Sequence, residues 1–243
     1  MTKSPPSFDY IVVGGGTAGL AVASRLSEDE AVRVLVIEAG GDHGSDPLVS
    51  TPGALVGQYG DPKYDWNFRS VPQPGRVGEA RQPGLGPNHP ASRGAVHIAS
   101  PDIRVRPRLD PKYMSHPLDL EVLARHVQFV EKIVATKPLR SSFKMGEGGA
   151  RLPPGLVGDT LEGAKEIVRR RLVSIWHVTG TCAMLPREKG GVVDRQLRVY
   201  GTRNVRVVDA SVFPLQPLGN TQSVVYAVAE RAADPINNCE SVT

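Results

Sequence analysis

The feature that most constrains the fold is a glycine-rich turn between a short strand and a helix, near the start of the chain. Residues 10–13 are apolar and predict a strand, and the turn at 14–19 follows directly. Residues 17–27 carry apolar side chains at helical spacing, and residues 33–37 predict a second strand. Strand, glycine turn, helix and strand in this order predict one βαβ unit of an α/β protein.

The spacing of the glycines indicates what such a turn binds. Gly14 allows the tight turn, Gly16 lets the backbone approach a pyrophosphate, and Gly19 lets the helix pack closely on the strand. The helix N-terminus offers N–H groups and a positive dipole end to the phosphates. Glu38 follows Gly19 by 19 residues and can accept hydrogen bonds from ribose hydroxyls. This context favours an adenine dinucleotide over a ligand-free turn, and it leaves FAD and NAD as alternatives.

A second turn of interest lies near the other end of the chain. Residues 205–208 are apolar and predict a strand that ends at Asp209. A proline-containing stretch then leads to Asn220, where a helix is predicted over 221–233. Its N-terminus suits a ligand on which negative charge develops. His177 precedes a Gly-Thr turn, and a lone histidine is more often structural than catalytic.

The middle of the chain contains a stretch without periodicity. Residues 72–94 hold ten Gly or Pro in 23 positions, which predicts a linker or an irregular loop. Ordered patterning then returns. A strand is predicted over 96–99, and apolar residues spaced by three or four predict helices over 117–135 and 161–172.

Charge and cysteine content exclude several function classes. The 243 residues carry 29 Lys and Arg against 25 Asp and Glu, and a net charge of +4 is too small to indicate nucleic acid. Cys182 and Cys239 cannot form a disulfide framework, and no Cys/His spacing predicts a metal site. No apolar run has the length of a signal peptide or a membrane span. We therefore expect no metal, no nucleic acid, no membrane and a cytoplasmic location.

The chain resembles the glucose–methanol–choline (GMC) oxidoreductases in five stretches that occur in the same order. The resemblance covers residues 8–71 and 89–236. It implies FAD as the cofactor. The five stretches are FDYIVVGGGTAGLAVASRLSE…VLVIEAG, HPASRGAVHIAS, DPKYMSHPLDLEVL, WHVTGTCAM and NVRVVDASVFPLQPLGNTQSVVYAVAERAAD.

The resemblance also implies a domain organisation. A Rossmann-like α/β FAD-binding domain would be formed by residues 1–75 and 175–243, with a reduced α+β substrate (cap) domain at 90–174. A Gly/Pro-rich junction at 76–89 would join them. Members of the family carry a long segment between the equivalents of WNF and HPASRG, where this chain has only a short interval. The chain thus resembles a truncated member that lacks the central segment.

The cofactor contacts that the resemblance implies fall into three groups. The glycine turn would hold the pyrophosphate, the residues after the second strand would hold the adenosine, and the carboxyl-terminal segment would line the path to the flavin ring. Trp66 matches an aromatic position near the cofactor, with core packing as the alternative. The remaining residues are Gly14, Gly16, Thr17, Ala18 and Gly19, then Glu38 and Ala39, then Asp209, Ala210, Asn220, Thr221 and Gln222.

The implied activity is oxidation of an alcohol, a CH–OH donor. His177 matches the active-site histidine and would take the hydroxyl proton, which favours hydride transfer to the flavin. Asn220 matches the second active-site position and would hydrogen-bond the substrate oxygen. The partners would be a small alcohol and oxygen or another electron acceptor. The alternatives are an impaired remnant without turnover and a non-redox lyase or binding protein. Faces left uncovered would favour a homo-oligomer.

Overall fold

The computed structural model describes residues 6–73, 89–138, 141, 158–172 and 174–238. The chain forms two compact units, one of residues 1–68 and 178–243 and the other of residues 69–177. The first unit is therefore built from both ends of the chain and the second from its middle. The assignment of FAD binding to the first unit and of substrate binding to the second stays a prediction. Residues 76–88 of the predicted junction, and Cys239, lie outside the described residues.

The first unit begins with the βαβ arrangement that the glycine pattern predicts. Strand β1 (Tyr10–Val13) pairs in parallel with β2 (Val34–Ile37), and helix α1 (Thr17–Leu26) lies between them in the chain. The Gly14 N–H donates to the Ile37 carbonyl at 2.8 Å, which continues the pairing into the glycine turn. The α/β prediction is confirmed, and the turn lies at the carboxyl end of β1.

A helix pair forms the core of the first unit. Helix α1 packs against the last helix, which is labelled α5 here and spans Gln222–Asn238. Both helices bury small alanine side chains in this core. Arg25 of α1 and Glu230 of α5 form an ion pair at 3.3 Å. The buried residues of this core include Ala18, Val22 and Leu26 of α1, Val225, Ala229, Ala232 and Ile236 of α5, and Val193 and Val212 of the loops between.

The segment after β2 is held by an acid at the start of a short helix, α2 (Pro47–Ser50). The Asp46 carboxylate accepts hydrogen bonds from the Leu48 N–H at 2.9 Å, the Lys63 ammonium at 2.5 Å and the Tyr64 hydroxyl at 2.6 Å. These donors, the ammonium first, hold the pKa of Asp46 far below its usual range. Asp46 in turn raises the pKa of Lys63. The segment is therefore held by the hydrogen bonds and the ion pair of Asp46 and not by an apolar core.

The strand predicted over residues 205–208 is not present. The Val199 N–H donates to the Val205 carbonyl at 2.9 Å, and the Val207 N–H donates to the Leu197 carbonyl at 3.1 Å. Between these bonds lies a single antiparallel bridge from Arg198 to Arg206. Residues 205–208 thus form one side of a short hairpin-like loop. The partner segment is too short to extend the hydrogen-bond ladder into a strand.

The second unit contains a small sheet and a helix pair. Strands β3 (Ala95–His97) and β4 (Arg108–Asp110) pair antiparallel, and helix α3 (Pro117–Ala135) packs against α4 (Leu161–Arg171). The prediction of α3 is confirmed at both ends, and α4 ends one residue before the predicted position. The buried apolar residues of this helix pair are Leu123, Ala124, Ala164, Ile167 and Val168.

A buried acid joins the start of α3 to the segment before β3. Asp119 is 6% exposed, and its carboxylate accepts the N–H groups of Ala91 at 2.7 Å and Ser92 at 2.8 Å. Burial alone would raise the pKa of Asp119, but the Ser92 side chain and these two N–H groups hold the pKa below its usual value. The N–H of His116 donates to the Ser92 Oγ at 3.0 Å and completes the connection.

Within the described ranges, none of the helices combines the length and the apolar character that crossing a membrane requires.

Candidate functional site

The glycine turn after β1 has the geometry that requires glycine at two positions. Gly14 has φ +106°, a conformation that side-chain-bearing residues rarely adopt. At Gly19 an added Cβ would lie 2.0 Å from the Gly14 carbonyl oxygen, so any side chain would push α1 away from the turn. The sequence expectation for Gly19, close packing of helix on strand, matches this contact.

The N-terminus of α1 faces open space. Gly16 is the N-cap residue, no side chain caps the helix there, and the first turn carries no acidic residue. A Cβ added at Gly16 would meet nothing within 4 Å, so this side of the turn is accessible to a ligand. Thr17 is the first residue of the helix, and the next residue, Ala18, is buried. Backbone N–H groups and the helix dipole together suit a phosphate group at this position.

Glu38 lies beside this turn at the end of β2. Its carboxylate accepts the Gly40 N–H at 2.7 Å and the Gly15 N–H at 2.5 Å. These two donors, Gly40 first, lower the pKa of Glu38, so its carboxylate is ionised at neutral pH. The side chain and the following Ala39 are exposed. A carboxylate has about four lone-pair positions, so Glu38 keeps acceptor capacity for a ribose hydroxyl.

Gly15 is a site residue that the sequence analysis missed. A Cβ at this position would lie 3.2 Å from Oε2 of Glu38, closer than an ordinary contact, so a side chain would disturb the acid. The available signal was the run of three consecutive glycines at 14–16. The motif explains only two of them, and the structure gives the middle one a function of its own.

The residues of this turn fit the adenosine and pyrophosphate of a dinucleotide such as FAD. Three properties support the fit: an open backbone surface at Gly16, an uncapped helix N-terminus, and an ionised acid fixed by Gly15. They are the properties that the phosphates and the ribose of such a cofactor need.

Trp66 is also in the first unit and is 64% exposed. This exposure is incompatible with the alternative interpretation of core packing. Its predicted position near a cofactor stays a prediction.

The segment of residues 180–184 runs along the predicted cofactor residues Asp209 and Ala210. Gly180 adopts φ +84° where this segment begins. Asp209 folds its carboxylate back to accept the N–H and the hydroxyl of Ser211, at 2.8 and 2.5 Å. The N–H groups of Gly180, Cys182 and Met184 donate to the carbonyls of Ala210, Ser211 and Val212, at 3.3, 2.9 and 2.8 Å.

The second predicted turn leads into α5. Gly219 has φ +110°, and the carbonyl of Thr221 accepts the Val225 N–H at 2.9 Å in the first helical turn. Asn220 and Gln222 are exposed. Because α5 and α1 pack in one core, residues 220–222 and the glycine turn belong to the same unit.

His177 does not belong to the same unit as the glycine turn. It is half-buried and is the last residue of the second unit, whereas Asn220 belongs to the first. The preceding Trp176 has φ +60°, and its N–H donates to the Ser174 Oγ at 3.0 Å. The structure therefore brings Glu38 to the glycine turn, while the catalytic roles of His177 and Asn220 stay predictions.

No cluster of three or more His, Cys, Asp or Glu side chains with metal-binding geometry occurs among the residues that the structure describes.

Two family models match the chain. Residues 90–229 match the model described as GMC oxidoreductase, and residues 12–46 match the NAD(P)-binding Rossmann-like domain. The first match covers more than half of the chain and includes His177 and Asn220. The second covers the glycine turn and Glu38.

Individual relatives agree with these matches. A dehydrogenase of Monascus ruber named citC is 41% identical over 150 residues, which are 61% of this chain and 22% of that protein. The structure of a fungal aryl-alcohol oxidase superposes with a TM-score of 0.54 at 38% identity, over 61% of this chain and 24% of that one. An FAD-dependent oxidoreductase from Chaetomium thermophilum superposes with a TM-score of 0.57 at 30% identity, over 64% and 26% respectively. The chain thus spans about a quarter of the length of these relatives.

Proposed function

This chain belongs to the GMC oxidoreductase family, a family of FAD-dependent oxidoreductases, and on that premise we propose that it binds FAD and oxidises an alcohol. The observation that carries the proposal is the joined pair of Gly15 and Glu38 beside the open N-terminus of α1. This arrangement supplies positive backbone groups for two phosphates and a fixed negative group for a ribose.

The residues of the first unit would hold FAD in the proposed function. The turn at 14–19 binds the pyrophosphate, Glu38 and Ala39 bind the adenosine, and Trp66 contributes an aromatic contact. Asp209 and Ala210 line the path toward the flavin ring, and residues 220–222 bind beside that ring. When bound, FAD supplies the acceptor for the hydride that leaves the carbinol carbon of the substrate.

His177 acts as the general base in the proposed reaction. A ring nitrogen of His177 takes the proton from the hydroxyl oxygen of the alcohol. Removing this proton places negative charge on the oxygen and weakens the carbinol C–H bond. The product is the aldehyde or ketone, and the proton remains on the imidazole until it passes to solvent.

Asn220 positions the substrate in the proposed reaction. Its amide hydrogen-bonds the substrate oxygen and restricts the orientation of the reacting carbon, an effect that contributes by proximity and alignment. Oxygen or another electron acceptor completes the cycle.

The proposal is tested first by the visible spectrum of the purified chain. We expect flavin absorbance at close to one FAD per chain after gel filtration, or after incubation with FAD followed by gel filtration. A folded chain that retains no flavin under either condition would refute the proposal.

The catalytic assignment is tested by anaerobic mixing with a panel of primary aliphatic and aryl alcohols. The flavin absorbance of the native chain should bleach with at least one alcohol. His177→Ala should slow the bleaching at least about a hundredfold, the contribution expected of a general base. His126→Ala is the matched control because His126 is an exposed histidine of α3 in the same unit. Equal rates in the native chain and His177→Ala would refute the assigned base.

A second function, binding of FAD without turnover, is favoured by the outer face of the β1–β2 sheet. Ile11, Val13 and Ile37 on this face are 61%, 81% and 48% exposed. Parallel sheets are normally covered on both faces, so this surface indicates that part of the family's fold is not supplied by the described residues. Stoichiometric flavin that no alcohol of the panel bleaches, with dithionite still bleaching it, would favour this second function.

A further inference from the structure

One face of the β3–β4 sheet in the second unit gathers polar side chains. The register places His97 opposite Arg108 and Ala95 opposite Asp110. Because side chains alternate between the two faces of a strand, these four residues share one face, and Leu109 points to the other. Lys112 follows β4 and, together with these four residues, lines a cavity.

Two neighbouring cavities with shared lining residues lie over this face. The smaller, of about 160 Å³, is lined by Ala95, His97, Arg108, Asp110 and Lys112. The larger, of about 600 Å³, shares Arg108, Asp110 and Lys112 with it. The methyl side chain of Ala95 leaves the space opposite Asp110 open. The larger volume lies within the range of sites for small molecules.

The charges on this face are not balanced. The Asp110 carboxylate accepts hydrogen bonds from the Gln73 side-chain amide and from the backbone N–H of Lys112, both at 3.2 Å. Within the described ranges, the side chains of Arg108 and Lys112 make no hydrogen bond or ion pair, and so both cations remain available. One engaged carboxylate between two available cations leaves the cleft with a net positive charge, which favours an anionic ligand.

Hydrogen bonds from residues 70–73 hold strand β4 and the loop after it, which carry Arg108 and Lys112. The Val71 N–H donates to the Leu109 carbonyl at 2.8 Å, which adds residues 70–71 alongside β4. The side-chain oxygen of Gln73 accepts the Tyr113 N–H at 2.9 Å. Gln73 therefore joins the two walls of the cleft, and a fixed frame lowers the entropy cost of binding.

The walls of the larger cavity are mainly apolar. Val71, Pro72, Tyr113 and Met114 line it together with the charged residues. A ligand that fits both parts of the cleft combines an apolar body with one anionic group. The planar guanidinium of Arg108 matches a carboxylate, to which it can donate two parallel hydrogen bonds.

We propose that this cleft, defined by Gln73, Arg108, Asp110 and Lys112, binds a small organic acid with an aromatic or aliphatic body. The carboxylate of the ligand lies between Arg108 and Lys112, and its body packs against Tyr113 and Met114. The site goes beyond the proposed function, since none of these residues is assigned to FAD or to the reacting alcohol.

The proposal is tested by titrating the full chain with phenylacetate at low salt, followed by ligand-observed NMR. Phenylacetamide serves as the matched neutral probe because it has the same body without the charge. We expect saturable binding of phenylacetate below about 10 mM and at least about tenfold weaker binding of phenylacetamide. Equal binding of the two probes, or no binding of phenylacetate, would overturn the proposal.

Variants locate the binding within the chain. Arg108→Gln and Lys112→Gln should each weaken phenylacetate binding about tenfold, the loss expected for a charged hydrogen bond. Arg104→Gln is the control of equal charge change, since Arg104 pairs with Asp102 at 2.8 Å and does not line the cleft. Ala95→Leu should also weaken binding, because the larger side chain would fill the smaller cavity beside Arg108 and Lys112 while both cations remain. Binding unchanged in Arg108→Gln, or weakened equally in Arg104→Gln, would refute the site. FAD content, measured in the same samples, should be unaffected and reports separately on the proposed function.

Discussion

The backbone N–H of Gly15 donates to Oε2 of Glu38 at 2.5 Å, and this bond joins the glycine turn to the end of β2. The acid is thereby fixed beside the N-terminus of α1 with its charge retained. One side of the turn thus presents donors and the other an acceptor. A dinucleotide has the complementary pattern of phosphates followed by ribose hydroxyls.

Replacing this acid should weaken FAD binding. In Glu38→Gln the side-chain NH₂ group would face one of the two N–H donors of Gly15 and Gly40, so that one of these bonds is lost. We expect FAD affinity to fall about tenfold, as for loss of a charged hydrogen bond. Glu28→Gln is the control because Glu28 is an exposed acid that pairs only with Arg25 in the described part of the chain. The measurement is fluorescence titration of the apoprotein with FAD, and an equal loss in both variants would contradict the expectation.

The same acid predicts a dependence of stability on pH. Gly40 and Gly15 lower the pKa of Glu38 from its ordinary value of 4.5. A group with a lowered folded-state pKa stabilises the protein above its unfolded-state value and loses that contribution as the pH falls through the folded-state value. The difference in melting temperature between the native chain and Glu38→Gln should therefore be constant from pH 7 to about 5 and shrink at lower pH. A difference that grows on acidification would contradict the sign.

Two glycines of the turn should respond differently to alanine. At Gly19 the new Cβ would meet the Gly14 carbonyl oxygen at 2.0 Å, so we expect destabilisation of about 1–3 kcal/mol together with loss of FAD. At Gly16 the new Cβ would meet nothing within 4 Å, so stability should change by less than about 0.5 kcal/mol while FAD affinity still falls. Urea unfolding and FAD titration separate the two effects. A stable Gly19→Ala variant that binds FAD normally would show that the turn is less tightly packed than described.

The dinucleotide unit was predictable because its signals are local. The apolar strand, the glycine spacing and the helical period of α1 each lie within a few neighbouring residues. The acid at 38 ends a β-branched run. The same reasoning placed α3 correctly, since the apolar residues of 117–135 recur every three or four positions over five turns.

Features that depend on distant partners were not predictable. Residues 205–208 have the composition of a strand, but a strand also needs a neighbour, and here the available neighbour makes only one bridge. Strand β4 has only three residues between Pro107 and Pro111 and carries no pattern of its own. Helix α5 continues past the predicted end at Ala233 because Ile236 packs into the core at 7% exposure.

The candidate site was likewise predictable only where its signals are local in the sequence. The turn and Glu38 follow from a motif, but the contribution of Gly15 depends on a hydrogen bond that spans 23 positions in sequence. The cationic face of β3–β4 depends on a register between two strands that no local pattern specifies.

The packing of α1 against α5 gives a matched pair of leucine substitutions. Leu26 is 2% exposed in the core shared by the two helices, whereas Leu20 of the same helix is 54% exposed. We expect Leu26→Ala to cost about 2–5 kcal/mol through lost burial and a cavity. Leu20→Ala should cost less than about 1 kcal/mol. The free energies of unfolding in urea give the comparison, and similar losses in the two variants would contradict the proposed core.

The buried acid of the second unit should be among its most sensitive positions. Asp119→Ala leaves the N–H groups of Ala91 and Ser92 without their acceptor, and each unsatisfied donor in a partly buried position costs free energy. We expect a loss of about 2–4 kcal/mol, measured by urea unfolding. Asp102→Ala removes a half-buried acid of the same unit that pairs with the exposed Arg104 side chain and, within the described residues, accepts only one backbone N–H, that of Arg104, and it should cost less than Asp119→Ala. Because the folded-state pKa of Asp119 is lowered, the difference from the native chain should be largest near neutral pH and decrease below the ordinary value of 3.8. An unchanged free energy in Asp119→Ala would mean that the segment before β3 is not held by this acid.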